Sequence, residues 1–435
     1  MGGGDLEPAL FAQRSSELIG LVDGDCFYVS CHRLFEPRLK GRPVCILSSN
    51  DSAVVSRSDE AKALGVKMSQ PRWELDELVR RQGLVLLSSN FQLYQDLHGR
   101  FMRSLESQVS GISVYSVDEA FVALTGMQDS PEEIGKRIRQ HIYKTVGLPV
   151  GVGISRNFTT AKLANWASKK WKRQTGSVVA ITDYERMRKL MAVAEVGDVW
   201  GIGRRLTEHL NSYGITTALQ LSQADPKHMR KLHGIGLART IRELNWELCI
   251  GPDDDGSPRK SMSCTRTFPN PVESLTTITQ YFATFSALIG VKLRAQRLMA
   301  TTVRVFLQPS RGCTVTLQAK SATIPLVVPT SDTRILISAS LEALRACYTE
   351  GGSWIRAGLM VLETVTEANY TPDLFAPEPP PRSRELMLTI DRINRKAGKG
   401  TVRFGSEYRN IGQLLRRQYP SNRFTTSWNE LPEAT

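Results

Sequence analysis

Five positions from Leu18 to Val22 are apolar or glycine and the run stops at Asp23, a pattern that predicts a short buried strand with a carboxylate at its end. Residues 72–79 and 92–107 show helical spacing of apolar positions. Ile112 to Leu124 is rich in β-branched and aromatic residues and predicts strand, turn, strand. Residues 131–145 predict a helix with Ser130 as its N-cap and Pro131 in its first turn. Val150-Gly-Val-Gly-Ile154 predicts another strand, followed by a helix from about Thr159 to Lys172. On that helix Lys162, Trp166, Lys169 and Arg173 form one stripe, while Leu163, Ala164, Ala167 and Trp171 lie on another face that packs. Strands and helices interleave to about residue 185, which indicates an α/β or α+β domain.

The texture then changes. Residues 186–250 are mainly helical in pattern, with two Gly-Ile-Gly turns. Gly251 to Pro258 is a turn-rich linker. Residues 259–368 mix strands with helical stretches around 274–298 and 331–350. Ala376 to Ser383 holds four prolines and predicts an extended linker before the closing segment Arg384 to Thr435. Residues 1–17 read as a flexible lead-in without the basic flank and apolar core of a signal peptide, and no apolar run approaches the roughly 20 residues that span a bilayer.

Composition adds one strong hint. Lys and Arg number 56 against 43 acids, a net charge of +13 over 435 residues, which suits a polyanionic partner without saying which. The seven cysteines include no CxxC pair, so neither a disulfide framework nor a zinc ribbon is indicated, and a reducing cytoplasm fits.

The candidate chemistry lies in acids set among apolar strands. Asp23 stands in Leu21-Val-Asp-Gly-Asp-Cys-Phe-Tyr28, and Asp118 and Glu119 in Tyr115-Ser-Val-Asp-Glu-Ala-Phe121. Acids so placed are costly unless something neutralises them, and a hard cation such as magnesium would do so. Neighbours in a regular strand point to opposite faces, so Asp118 and Glu119 share a site only where a turn or bulge re-aims one. An isolated Asp-Glu pair ordinarily caps a turn or pairs with Lys or Arg. Here the flanking strands and the matching Asp23 segment favour a shared site.

Asp23-Gly-Asp-Cys-Phe-Tyr28 and Ser116-Val-Asp-Glu119 resemble the two catalytic motifs of the Y-family DNA polymerases. Glu60-Ala-Lys-Ala-Leu-Gly-Val-Lys67, Ser88-Ser-Asn-Phe-Gln-Leu-Tyr94, Val150-Gly-Val-Gly-Ile154 and Ala161-Lys-Leu-Ala-Asn165 are further matches, and the likeness to the UmuC-type branch of that family runs from about Leu18 to the C-terminus. The resemblance implies an α+β multidomain fold, a right hand of palm (18–27 and 91–185), fingers (28–90) and thumb (186–250). A little finger (259–368) follows the 251–258 linker, and a linker over 369–383 leads to a small C-terminal extension (384–435). It implies template-directed, error-prone synthesis across lesions with two Mg2+ ions, held by Asp23, Asp118 and Glu119 and by the backbone carbonyl of Gly24. Asp25 is as well explained by turn capping.

By the same resemblance Phe27 and Tyr28 belong to the nucleotide pocket. Tyr28, five places after the first aspartate, lies under the sugar and excludes a 2′-hydroxyl. Lys169 and Lys62 are assigned to the triphosphate. Many family members have Tyr and Arg where this chain has Asp59 and Lys62, and Arg57 is a candidate to share that load. Gly201, Gly203, Gly234 and Gly236 give two helix-hairpin-helix-like turns with Arg204 beside the first, suited to phosphate contacts that ignore sequence. Arg266 and Arg304 are candidate phosphate contacts in the little finger. Leu374 and Phe375 resemble a sliding-clamp ligand that lacks the usual preceding Gln. The extension implies a UmuD-like processed subunit and RecA as partners beside primer-template DNA and dNTPs. A non-catalytic, polymerase-like DNA-binding accessory protein is the alternative, separated by whether the acidic set is complete. A helix-hairpin-helix repair nuclease leaves the aromatic pair after Asp23 unexplained.

Overall fold

The structure is a computed structural model that describes residues 18–124, 126–251, 260–310, 318–371, 375–377, 380–408 and 417–431. They fall into two compact units, one from the described parts of Met1–Gly256 and Tyr419–Thr435, the other from those of Ser257–Gln418.

The first unit is built on a five-stranded sheet. Its strands β1 (Ile19–Gly24), β5 (Gly111–Val114), β6 (Glu119–Ala123), β7 (Val150–Ser155) and β8 (Val178–Ala180) lie in the order β5-β6-β1-β7-β8. β1 is central and antiparallel to both neighbours. A smaller sheet of β2 (Val44–Leu47), β3 (Val54–Arg57) and β4 (Val85–Ser88) is inserted between β1 and β5 in the chain, with order β3-β2-β4. Helices α1 (Phe27–Phe35), α2 (Asp59–Ala63) and α3 (Asp76–Gln82) accompany that insertion.

Helices α4 (Phe91–Glu106) and α5 (Pro131–Val146) share a core with Val22, Val122 and Val152 on one face of the large sheet. The expected cap on α5 is a full capping box, Ser130 with Glu133. The opposite parity, Leu21 and Phe121, packs with Phe158 and Ala161 of α6 (Phe158–Lys170). Gly153 makes that approach close: a Cβ there would collide with the backbone nitrogen of Asn165 and the carbonyl of Ala161. The expected helix to Lys172 breaks at Trp171 and resumes as the single turn α7 (Lys172–Thr175). Five helices follow: α8 (Tyr184–Val193), α9 (Arg204–Ser212), α10 (Ala218–Ser222), α11 (Pro226–His233) and α12 (Ile235–Leu244).

The second unit is a four-stranded antiparallel sheet, β11-β10-β12-β9, formed by β9 (Met262–Val272), β10 (Leu298–Pro309), β11 (Lys320–Thr330) and β12 (Trp354–Thr366). Helices α13 (Leu275–Ala295) and α14 (Thr333–Cys347) bury one face, where Val303, Val305, Leu359 and Val361 point. The other parity carries Arg304, Phe306 and Met360, none of them fully buried. Helix α15 (Ser383–Ala397) joins this unit through a buried, bidentate ion pair, Arg294 to Asp391 at 2.7 and 2.8 Å. Among the described residues the six cysteines are free thiols and no helix is long and apolar enough to cross a membrane.

Candidate active site

β1 and β6 run side by side in a register that sets Asp23 directly opposite Glu119. Both side chains take the parity of Leu21 and Phe121, so both face α6. Asp118 is not in the strand. It ends the bend Ser116–Asp118, where the Ser116 hydroxyl donates to Asp118 Oδ1 at 2.6 Å and accepts from the amides of Asp118 and Glu119. Its backbone carbonyl accepts from the Gly24 amide at 2.8 Å. The bend takes Asp118 out of the strict alternation of the strand. Its side is marked by Tyr28, whose phenol is raised by burial and then by the nearby Asp118 carboxylate.

Lysines hold the acids. Lys169 Nζ lies 2.5 Å from Asp23, Lys162 Nζ 3.1 Å from Glu119, and Lys172 Nζ 3.4 Å from Asp25. Asp23 is buried, and its carboxyl is pushed up to about 7, chiefly by that burial and further by Glu119, against the pull of Lys169. Two close carboxylates, one of them buried, are hard-oxygen donors of the kind that suits Mg2+. Among the described residues no three His, Cys, Asp or Glu side chains stand together as a ready metal cage; Lys169 and Lys162 instead pair with Asp23 and Glu119.

Asp59, left open by its motif, bridges Lys62 at 2.7 Å and Lys172 at 2.9 Å and accepts from the Cys26 thiol at 3.6 Å. Burial works against its charge, yet the two lysines outweigh this and hold its carboxyl well below the usual range. Arg57 is instead turned to the carbonyl of Val66. Lys62, Lys169 and Lys172 thus rim the end of β1. The chain leaves β1 through Cys26, whose φ of 46° places a non-glycine residue in the left-handed region and starts α1 there.

Of the aromatic pair, Phe27 is 3% exposed and packs in the core, whereas Tyr28 is half-buried. Tyr28 stacks on Tyr94 with centroids 4.0 Å apart and planes 10° apart, and Tyr94 Oη meets His32 Nε2 at 3.0 Å. Spacing along the chain did not single out Tyr94 or His32. It also missed the cage around Lys162, whose Nζ sits 4.0 Å from the Tyr115 ring centroid and 5.5 Å from that of Trp200.

Gly201 and Gly234 have φ of 85° and 86°, where a side chain would be strained, and Gly203 is the N-cap residue of α9. Gly236 lies inside the first turn of α12. Arg204, its guanidinium 2.9 Å from Glu208, is exposed. Arg266 and Arg304 are both exposed, but Arg304 stands on the open face of its sheet while Arg266 has the parity of buried Cys264 on the edge strand β9. Phe375 is 94% exposed, and Leu374 lies outside the described residues.

The architecture is that of the Y-family DNA polymerases. A chimeric Y-family DNA polymerase superposes with a TM-score of 0.63 at 21% identity, covering 79% of this chain and 98% of its own. An insertion ternary complex of Dbh DNA polymerase gives a TM-score of 0.53 at 19% identity over 80% and 99%. Residues 22–166 match the impB/mucB/samB family, 259–374 the C-terminal domain of that family, and 384–434 a domain of unknown function, DUF4113. The protein UmuC of Salmonella typhimurium is 36% identical over 95% of this chain and 99% of its own length, and MucB of Escherichia coli is 36% identical over 96% and 100%. DNA polymerase IV of Bacillus cereus is 25% identical over 92% and 94%. The chain belongs to the impB/mucB/samB family.

Proposed function

We propose that this polymerase copies damaged DNA in the SOS response, by nucleotidyl transfer at the cluster of Asp23, Asp118 and Glu119. The observation that carries the reading is the Asp23–Glu119 register pair, a buried carboxylate facing a second one across two strands. Such a pair is stable only beside cations. Asp23, Asp118, Glu119 and the Gly24 carbonyl would hold two Mg2+ ions, which when bound supply Lewis acidity for the primer 3′-hydroxyl and counter-charge for the leaving pyrophosphate.

The chain's own groups do the rest. Lys169 and Lys62, now engaged with Asp23 and Asp59, are placed to turn to the triphosphate once those acids are otherwise neutralised. Tyr28, propped flat on Tyr94, presents a ring to the sugar and leaves no room for a 2′-hydroxyl. Phe27 contributes by fixing the start of α1 in the core. The primer 3′-oxygen forms its bond to the α-phosphorus as the bond to pyrophosphate breaks, and the hydroxyl proton passes to solvent.

The large sheet with α4–α6 serves as palm, the small sheet with α2 and α3 as fingers, α8–α12 as thumb and the second unit's sheet as little finger. Gly201, Gly203, Arg204, Gly234 and Gly236 grip phosphates in the thumb, and Arg304 on the open sheet face is better placed for DNA than Arg266. A UmuD-like processed subunit, RecA and the sliding clamp are the proposed protein partners, in the bacterial cytoplasm. Extension of a primer past an abasic template with Mg2+ and the processed partner subunit tests the reading. Asp118→Ala should lower extension by about a thousandfold or more while DNA binding persists. Extension by that variant at the wild-type rate would leave only a DNA-binding accessory protein.

A further inference from the structure

The last described segment, Tyr419–Leu431, has only one helical turn of its own, Trp428–Glu430, yet it is firmly held by the first unit. Phe424 is 4% exposed and its ring stacks on Phe35 with centroids 4.9 Å and planes 9° apart. Phe35 is the last residue of α1, the helix that opens with Phe27 and Tyr28. Asn90 Nδ2 donates to Ser421 Oγ and to the Asn422 carbonyl, each at 3.1 Å, while Asn90 Oδ1 caps α4 by accepting from the Leu93 amide. The Tyr419 carbonyl accepts from the Ser88 amide at 2.8 Å and the Tyr419 amide donates to the Ser88 hydroxyl at 3.1 Å, just before that cap. Arg423 and Glu430 close the segment on itself at 2.5–2.7 Å.

Helices α1 and α4 are the two that carry the aromatic trio under the sugar. Tyr28 comes from α1, and Phe91 and Tyr94 from α4. Phe91 meets Tyr28 edge-on at 6.5 Å and Tyr94 at 6.0 Å. The segment thus grips both helices without belonging to the trio.

We infer that Tyr419–Leu431, the distal part of the stretch matching a domain of unknown function, is a positioning element for the sugar pocket. By holding Phe35 and Asn90 together it fixes the spacing of α1 and α4, and so the depth at which Tyr28 stands. A barrier that must reject a single extra oxygen is sensitive to displacements well under the width of that atom. The inference rests on reading Tyr28 as the residue that excludes the 2′-hydroxyl.

Single-turnover primer extension with a matched deoxynucleotide and its ribonucleotide tests it, with the full-length chain as reference. The variants are Phe424→Leu, which keeps apolar volume but loses the stacked ring, and a chain ending at residue 418. The preference for deoxynucleotide should fall about tenfold in both, while addition of the deoxynucleotide itself slows less than about threefold. Should the shortened chain fail to fold, Phe424→Leu alone decides. A preference within about twofold of wild type in a folded Phe424→Leu chain overturns the inference. Tyr28→Ala in the same assay separates the two ideas. If Tyr28→Ala loses selectivity and the tail variants keep it, the positioning role fails alone; if Tyr28→Ala keeps selectivity, both readings fall.

Discussion

His32 has no exposed surface, and its ring meets the Tyr94 hydroxyl that backs Tyr28. Burial lowers its pKa to about 4 from the ordinary 6.5. A folded-state value below the unfolded one means that the neutral ring contributes stability above pH 6.5, lost as the pH falls toward 4. Between pH 7.5 and 4.5 the wild type should lose about 2–3 kcal/mol more than His32→Gln in urea unfolding. Equal losses would show that His32 does not titrate across folding. Asp23, Asp118, Glu119 and Tyr28 can be picked out of the sequence as candidates because they sit in two short motifs. The pairing of His32 with Tyr94 and the aromatic cage of Lys162 could not be read there. Their partners lie 62 positions away for His32 and 47 for Tyr115 and Lys162, distances that no local period encodes.

At the scale of elements, one side chain ties α12 to the start of α6. Glu243 is fully buried, and its carboxylate accepts from the amides of Thr159 (3.0 Å), Cys249 (3.0 Å) and Ile250 (2.9 Å). Asn157, the N-cap of α6, donates to the Glu243 carbonyl at 2.7 Å. Glu243→Ala leaves three amides without this acceptor and should cost about 2–4 kcal/mol in denaturant unfolding. A loss below about 0.5 kcal/mol would mean that solvent replaces the carboxylate fully. Helix α5 could be read to its cap because Ser130, Pro131 and Glu133 act within one turn. Helix α1 could not: its sequence, Phe27 to Phe35, was absorbed into the motif beside Asp23, and it starts at a left-handed Cys26 that no propensity foretells. The pause at Trp171 was missed because the basic and apolar stripes continue across it.

For the whole molecule, the net charge of +13 suits a polyanionic partner. The proposed clamp attachment belongs to this scale. Deleting Leu374 and Phe375 should abolish clamp-stimulated synthesis and spare basal synthesis, and persistence of stimulation would refute the attachment. The sequence led us to treat residues 384–435 as one extension. Its described parts divide, α15 bound to the second unit by Arg294 and Tyr419–Leu431 to the first. Charge and periodicity carry no record of which surface a short irregular segment will meet.

That division has a consequence for how the protein is made. Phe35 emerges from the ribosome roughly 390 positions ahead of the ring that covers it, and at roughly 5–20 residues per second this is a wait of tens of seconds. Through that interval Phe35 lacks the ring that stacks on it in the folded protein. A product that stops before Phe424 would leave Phe35 without that stacking partner.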